Sequence, residues 1–173
     1  MEIKEHMKSY SNDGRIKVYL AGPFFNEEQE ERINYLEDLL DKHNFSIFSP
    51  RQASRIKPGC SQEDMIETFK GNTLNIDNAD IVLAVLDDKD VGTVWETGYA
   101  YAKKIPVLYF NETRPADKGP NLMLAMSTLL PFVMQNKDIG PREYLEDTLI
   151  CIEQLGVDGA EELFKGNNFD EVE

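Results

Sequence analysis

The chain has 173 residues, enough for one domain with a sizeable core, and its 41% hydrophobic content is ordinary for a soluble globular protein. With 18 basic residues against 32 acidic ones, a net charge of −14, it is poorly suited to nucleic-acid phosphates; a small, neutral or weakly charged ligand fits better. His6 and His43 are its only histidines, and Cys60 and Cys151 are far apart in sequence, which excludes a His-based triad and argues against a metal site or a disulfide framework.

Residues 1–14 are polar and read as a flexible leader rather than a signal peptide. The first core element is the β-rich run 16–21, ended by Gly22-Pro23. Asn26 can cap a helix over 27–42, in which Ile33, Leu36, Leu39 and Leu40 recur at helical spacing and three glutamates favour the positive end. Residues 45–48 form a second short strand stopped by Pro50, and 51–60 read as an irregular loop. Ser61 and Asp64 form a capping-box pattern before a helix whose apolar face runs through Met65, Ile66, Phe69, Leu74 and Ile76.

The apolar run 81–86 is a buried parallel strand, 93–104 a helix and 106–110 a fourth strand. After a polar loop, 121–129 suggests a short helix, 132–134 a brief edge strand and 142–155 a last helix. The acidic segment 156–173 reads as a tail with Leu163 and Phe164 as its main apolar residues. Strands alternating with helices predict an α/β fold: a single doubly wound domain over 15–155 with a mostly parallel, roughly five-stranded sheet, flavodoxin-like or Rossmann-like. No apolar run approaches the roughly 20 residues that span a bilayer, and two ordinary thiols suit a reducing cytoplasm.

The most informative stretch is Asp87-Asp88-Lys89-Asp90-Val91-Gly92-Thr93-Val94-Trp95-Glu96-Thr97-Gly98, just past the carboxyl end of the third strand, where open α/β sheets place their ligands. Glu96 is carried into the first turns of a helix between Trp95 and Tyr99, while Gly92 and Gly98 let a ligand or another backbone approach. Asp90 lies six residues before Glu96, so both carboxylates can face one pocket, as glycosyl chemistry requires. Asp87 and Asp88 read as a solvated turn. Phe24 and Phe25 follow the Gly-Pro bend, one suited to the core and the other to stacking on a flat ring. Neither a GxGxxG nor a GxxxxGK[ST] signature is present.

Four segments in order then resemble the nucleoside 2-deoxyribosyltransferase family: Val18 to Asn26, Ala79 to Val85, Asp90 to Ala100 with its Gly-Thr-x-Trp-Glu-x-Gly-Tyr-Ala block, and Asn121-Leu122-Met123. The resemblance implies base exchange on 2′-deoxynucleosides without a cofactor, with 2′-deoxynucleosides and free nucleobases as the small-molecule partners. Glu96 would be the nucleophile, forming a covalent 2-deoxyribosyl ester with net retention, and Tyr19 would hydrogen-bond and orient it. Asp90 would bind the sugar 5′-hydroxyl and Asn121 would reach that hydroxyl from a neighbouring subunit, beside Met123, in a homo-oligomer. Phe24 would line the base pocket, Gln52 would contact the base, and Gly92 would make room. Several members carry an aspartate where this chain has Asn72; an amide hydrogen-bonds a base edge but cannot protonate it as an acid. The alternatives are an N-glycoside hydrolase of nucleosides or nucleoside monophosphates, and a nucleotide-binding module without catalysis.

Overall fold

The strands are apolar at nearly every position because helices cover both faces of the sheet. The computed structural model describes residues 10–53, 56–114, 121–128, 130–134 and 138–165. Five strands, β1 (Lys17–Ala21), β2 (Ser46–Phe48), β3 (Ile81–Val85), β4 (Val107–Asn111) and β5 (Phe132–Met134), pair in the order β2-β1-β3-β4-β5, all parallel. Between them run helices α1 (Glu27–Lys42), α2 (Pro50–Ala53), α3 (Gln62–Asp77), α4 (Val91–Ala102) and α5 (Leu122–Ala125), with α6 (Pro141–Phe164) last. The chain steps outward from β1 to β2, then crosses back to β3. That reversal opens a crevice at the carboxyl ends of β1 and β3, the usual ligand position in such sheets.

Alternation along the strands divides the core in two. Val18, Leu20, Leu83, Val85, Leu108 and Phe110 face one side, where Ile33, Leu36 and Leu40 of α1 meet Leu145, Leu149 and Ile152 of α6. Tyr19, Ala21, Val82, Ala84 and Tyr109 face the other, with Ile76 of α3 and Ala100 of α4. Burying each large aliphatic side chain contributes roughly 1.5–3 kcal/mol before chain entropy is counted. Gly22 lets α1 close on the sheet: a Cβ there would lie 2.8 Å from Ile33 Cδ1 and 3.1 Å from Val85 Cβ.

Both foreseen caps form. Asn26 accepts from the Gln29 amide at 2.9 Å, and Ser61 and Asp64 bond reciprocally at the start of α3. Four expectations change. Part of the segment read as a loop after β2 is the helical turn α2, which Pro50 opens at a position where a missing N–H does no harm. Of the apolar face read on α3, Ile76 is buried, but Met65, Ile66, Phe69 and Leu74 are all exposed. The segment from Gly156 continues α6 instead of leaving the domain: Gly156 breaks the helix at φ 74°, and the next turns bury Ala160 and pack Phe164 on the core. Of the leader, residues 10–14 are described, and Tyr10 packs on Phe48 and donates to the Asn75 carbonyl at 2.9 Å. Residues 1–9 and 166–173 lie outside the described residues.

Candidate active site

Tyr19 is the third residue of β1, fully buried, with its ring stacked 5.4 Å from Phe48. Its hydroxyl donates to Glu96 Oε1 at 2.6 Å, joining two residues 77 positions apart at the crevice. Glu96 lies in the second turn of α4 and is partly buried. Burial pushes its carboxyl up to about 7; the Tyr19 hydrogen bond acts against that shift and the Asp90 charge adds to it. Tyr19 itself is held far above the usual phenol value, by burial first and then by the charge of Glu96. It is therefore a fixed hydrogen-bond donor that keeps its proton. A neutral-range carboxyl anchored by such a donor has the character of a nucleophile or general base.

Asp90 caps α4. Its Oδ2 accepts from the Thr93 amide at 2.7 Å and from the Thr93 hydroxyl at 2.8 Å, and its Oδ1 accepts no hydrogen bond among the described residues. Gly92 makes this possible, because a Cβ there would lie 3.1 Å from Asp90 Oδ2. Gly98 has a different basis: a Cβ on it would meet nothing within 4 Å, so no packing among the described residues requires a glycine.

Phe24 is partly buried and stacks on the exposed Phe25 with ring centroids 5.4 Å apart. Asn72 sits on α3 one turn beyond Phe69, whose ring meets that of Trp95 at 5.4 Å, and its amide makes no hydrogen bond among the described residues. Trp95 stacks in turn on Tyr99, giving the α3–α4 side of the crevice a flat aromatic surface. Two acids near Asn72 in sequence are occupied elsewhere: Asp64 in its capping box, Asp77 by Lys103 at 2.9 Å and the Tyr99 hydroxyl at 3.1 Å.

Three expected residues are not gathered with Glu96 in a single chain. Gln52 turns toward α1, where its amide donates to Glu37 Oε2 at 2.5 Å, alongside Arg51 on the same carboxylate. Asn121 caps α5, accepting from the Met123 amide at 3.0 Å, and both residues line a groove of about 530 Å³ with Leu86, Lys89, Val94, Asn111 and Arg114. Val94 borders that groove, and at 100° per residue Glu96 lies about 200° around α4 from it, on the opposite side.

Sequence reading missed two residues here. Asp87 is not solvated: it is 1% exposed and accepts from the Glu112 and Thr113 amides, both at 2.9 Å, and from the Thr113 hydroxyl at 2.7 Å. It ties the end of β3 to the end of β4. Gln29 is buried and bridges the loops around the crevice, accepting from the Phe25 amide at 2.8 Å and donating to Asp88 Oδ2 at 3.0 Å. Asp88 and Lys89 both adopt left-handed backbone angles, φ 63° and 54°, which cost non-glycine residues about 1 kcal/mol or more each and tend to persist at functional sites.

The family model described as Nucleoside 2-deoxyribosyltransferase matches residues 18–156. Among solved structures, the chain is similar to a 2-deoxyribosyltransferase from the psychrotolerant bacterium Bacillus psychrosaccharolyticus. The two share 32% identity over 76% of this chain and 90% of that one, with a TM-score of 0.62. It shares a fold with the Clostridium botulinum CMP N-glycosidase, at 19% identity over 76% of this chain and 96% of that one, TM-score 0.53. A comparison with curated proteins returns no match.

Proposed function

The chain belongs to the nucleoside 2-deoxyribosyltransferase family, and from that premise we propose that it exchanges the base of a 2′-deoxynucleoside for a free purine or pyrimidine. The observation that carries the reading is the 2.6 Å hydrogen bond from Tyr19 to Glu96 at the sheet's reversal point. It leaves Glu96 Oε2 as the attacking atom and fixes the carboxylate plane.

In the reaction, ionised Glu96 attacks the anomeric carbon from the face opposite the base. The new C–O bond forms as the glycosidic C–N bond breaks, and the bonding pair leaves with the base, which takes up a proton. The incoming base then attacks the anomeric carbon from the face the first one left, and the C–O bond breaks to release Glu96 as carboxylate. The ring N–H proton that the incoming base gives up balances the one the departing base took up; two inversions give net retention. Asp90 Oδ1 accepts from the sugar 5′-hydroxyl, and the missing 2′-hydroxyl eases the cationic transition state. Phe24 and the amide of Asn72 meet the base; Asn72 bonds its edge without protonating it.

Asn121 and Met123 serve the site of a neighbouring copy, which their place on the far side of α4 supports. So does the apolar surface there, where Tyr101, Leu122, Met123 and Met126 are all more than half exposed.

The test is to supply one deoxynucleoside and a different free base. The reading requires the new deoxynucleoside as product; free deoxyribose alone would make the protein an N-glycoside hydrolase, with water in place of the second base. Binding without turnover would make it a nucleotide-binding module.

A further inference from the structure

We propose that Gln29 is a positioning residue for the sugar site: it ties the turn that carries Asp90 to the loop that carries Phe24, and so sets how well the protein recognises the sugar 5′-hydroxyl. On the base-exchange reading Asp90 holds that hydroxyl and Phe24 meets the base, and the role of Gln29 rests on that assignment. Gln29 is only 7% exposed, and its amide is engaged at both ends by loops. Oε1 accepts from the Phe25 amide at 2.8 Å, and Nε2 donates to Asp88 Oδ2 at 3.0 Å. The two loops follow β1 and β3, the paired strands whose carboxyl ends flank the crevice.

The Phe25 bond alone would be a form of helix capping, since Gln29 is the third residue of α1 and reaches back past Asn26. The Asp88 bond is not, because it spans 59 positions. Asp88 is exposed and has water to bond; the buried amide of Gln29 is the partner that needs the contact. The turn it reaches is strained, with Asp88 and Lys89 both at left-handed angles, φ 63° and 54°, and such backbone persists only where its surroundings hold it. Asp87 anchors one end of the turn to the Glu112 and Thr113 amides, and Gln29 anchors the next residue from the β1 side. Asp90 follows two residues later and, through Thr93, fixes the start of the helix that carries Glu96. A turn held from both sides keeps Asp90 Oδ1 in one direction.

The experiment is calorimetric titration of the full-length protein carrying Glu96→Gln, which cannot form the sugar ester, with 2′-deoxyadenosine and with 2′,5′-dideoxyadenosine, which lacks only the 5′-hydroxyl. With Gln29 intact, the hydroxyl should tighten binding about tenfold, as a hydrogen bond to a charged acceptor does. Adding Gln29→Leu, which is uncharged and removes both bonds, should cut that ratio below about threefold. Gln29→Glu should do the same, because it keeps the acceptor for the Phe25 amide but sets a carboxylate against Asp88. Combining Gln29→Glu with Asp88→Asn exchanges donor and acceptor across the same contact, at a position whose left-handed backbone asparagine tolerates, and should restore the ratio. A role in stability alone would weaken both ligands equally and leave the ratio unchanged. A ratio unchanged in Gln29→Leu and Gln29→Glu, no recovery in the double variant, or a ratio near one with Gln29 intact would each overturn the proposal. Base exchange is read separately on the unmutated protein, so its absence would overturn the proposed reaction while the ratio still decides the role of Gln29.

Discussion

At the pKa of about 7 that burial gives Glu96, half of the free protein carries the attacking carboxylate near neutrality. With Glu96 as nucleophile, kcat/KM falls about tenfold per pH unit below that value and levels off above it. Tyr19→Phe removes the one contact that holds the pKa down, so the acid limb of the profile moves to higher pH as well as the rate falling. Glu96→Gln or Glu96→Ala lowers exchange by several powers of ten, on the order of the losses seen when other nucleophiles are removed. The same group lowers stability when ionised. Its folded-state pKa lies above the unfolded value of 4.5, so stability is fully present below about pH 4.5 and is lost as pH rises to about 7. Thermal melts should therefore find Glu96→Gln more stable than wild type near pH 8, by on the order of 2–3 kcal/mol, with the gain vanishing near pH 4. An equal gain at both pH values would mean that packing, not ionisation, separates the two proteins.

Among the elements, the β3–α4 connection depends on Asp87. Replacing it with alanine takes the acceptor from two part-buried amides and leaves the buried Arg32, 3.9 Å away, with less charge to face; urea denaturation should give a loss of about 2–4 kcal/mol. In α6, Gly156 has φ 74° and ψ 171°, a region essentially restricted to glycine, so Gly156→Ala should cost about 1–3 kcal/mol in the same measurement. These two positions also mark where the sequence stops being readable. Strands buried on both faces leave unbroken apolar runs, and caps such as Asn26 and Ser61 act within three residues of themselves, so both are visible in one dimension. Asp87 is indistinguishable from a solvated aspartate because its partners are backbone amides from another strand end, which any residue type supplies. Gln29 and Gln52 are hidden for the same reason: what fixes them is the loop or helix opposite. Glu96 and Tyr19 are both singled out by the family resemblance, whereas their meeting across 77 residues is a matter of topology that spacing alone does not show.

For the whole molecule, the positions of Glu96 and Asn121 on opposite sides of α4 make a prediction about assembly. If each site takes Glu96 from one copy and Asn121 from its neighbour, Glu96→Ala and Asn121→Ala proteins, each inactive alone, should recover activity when unfolded together and refolded as a mixture. With random pairing into dimeric units, about a quarter of the sites would be intact. No recovery would place Asn121 outside the neighbour's site. Among the described residues no helix is long and apolar enough to cross a membrane, and both cysteines are free thiols.

The most direct measurement of the central claim is mass spectrometry of the protein incubated with a 2′-deoxynucleoside and no acceptor base, followed by peptide mapping. The account predicts one 2-deoxyribosyl adduct, on the peptide containing Glu96, that disappears when a free base is added and a new deoxynucleoside forms. Base exchange with no adduct, or an adduct on any other residue, would contradict it.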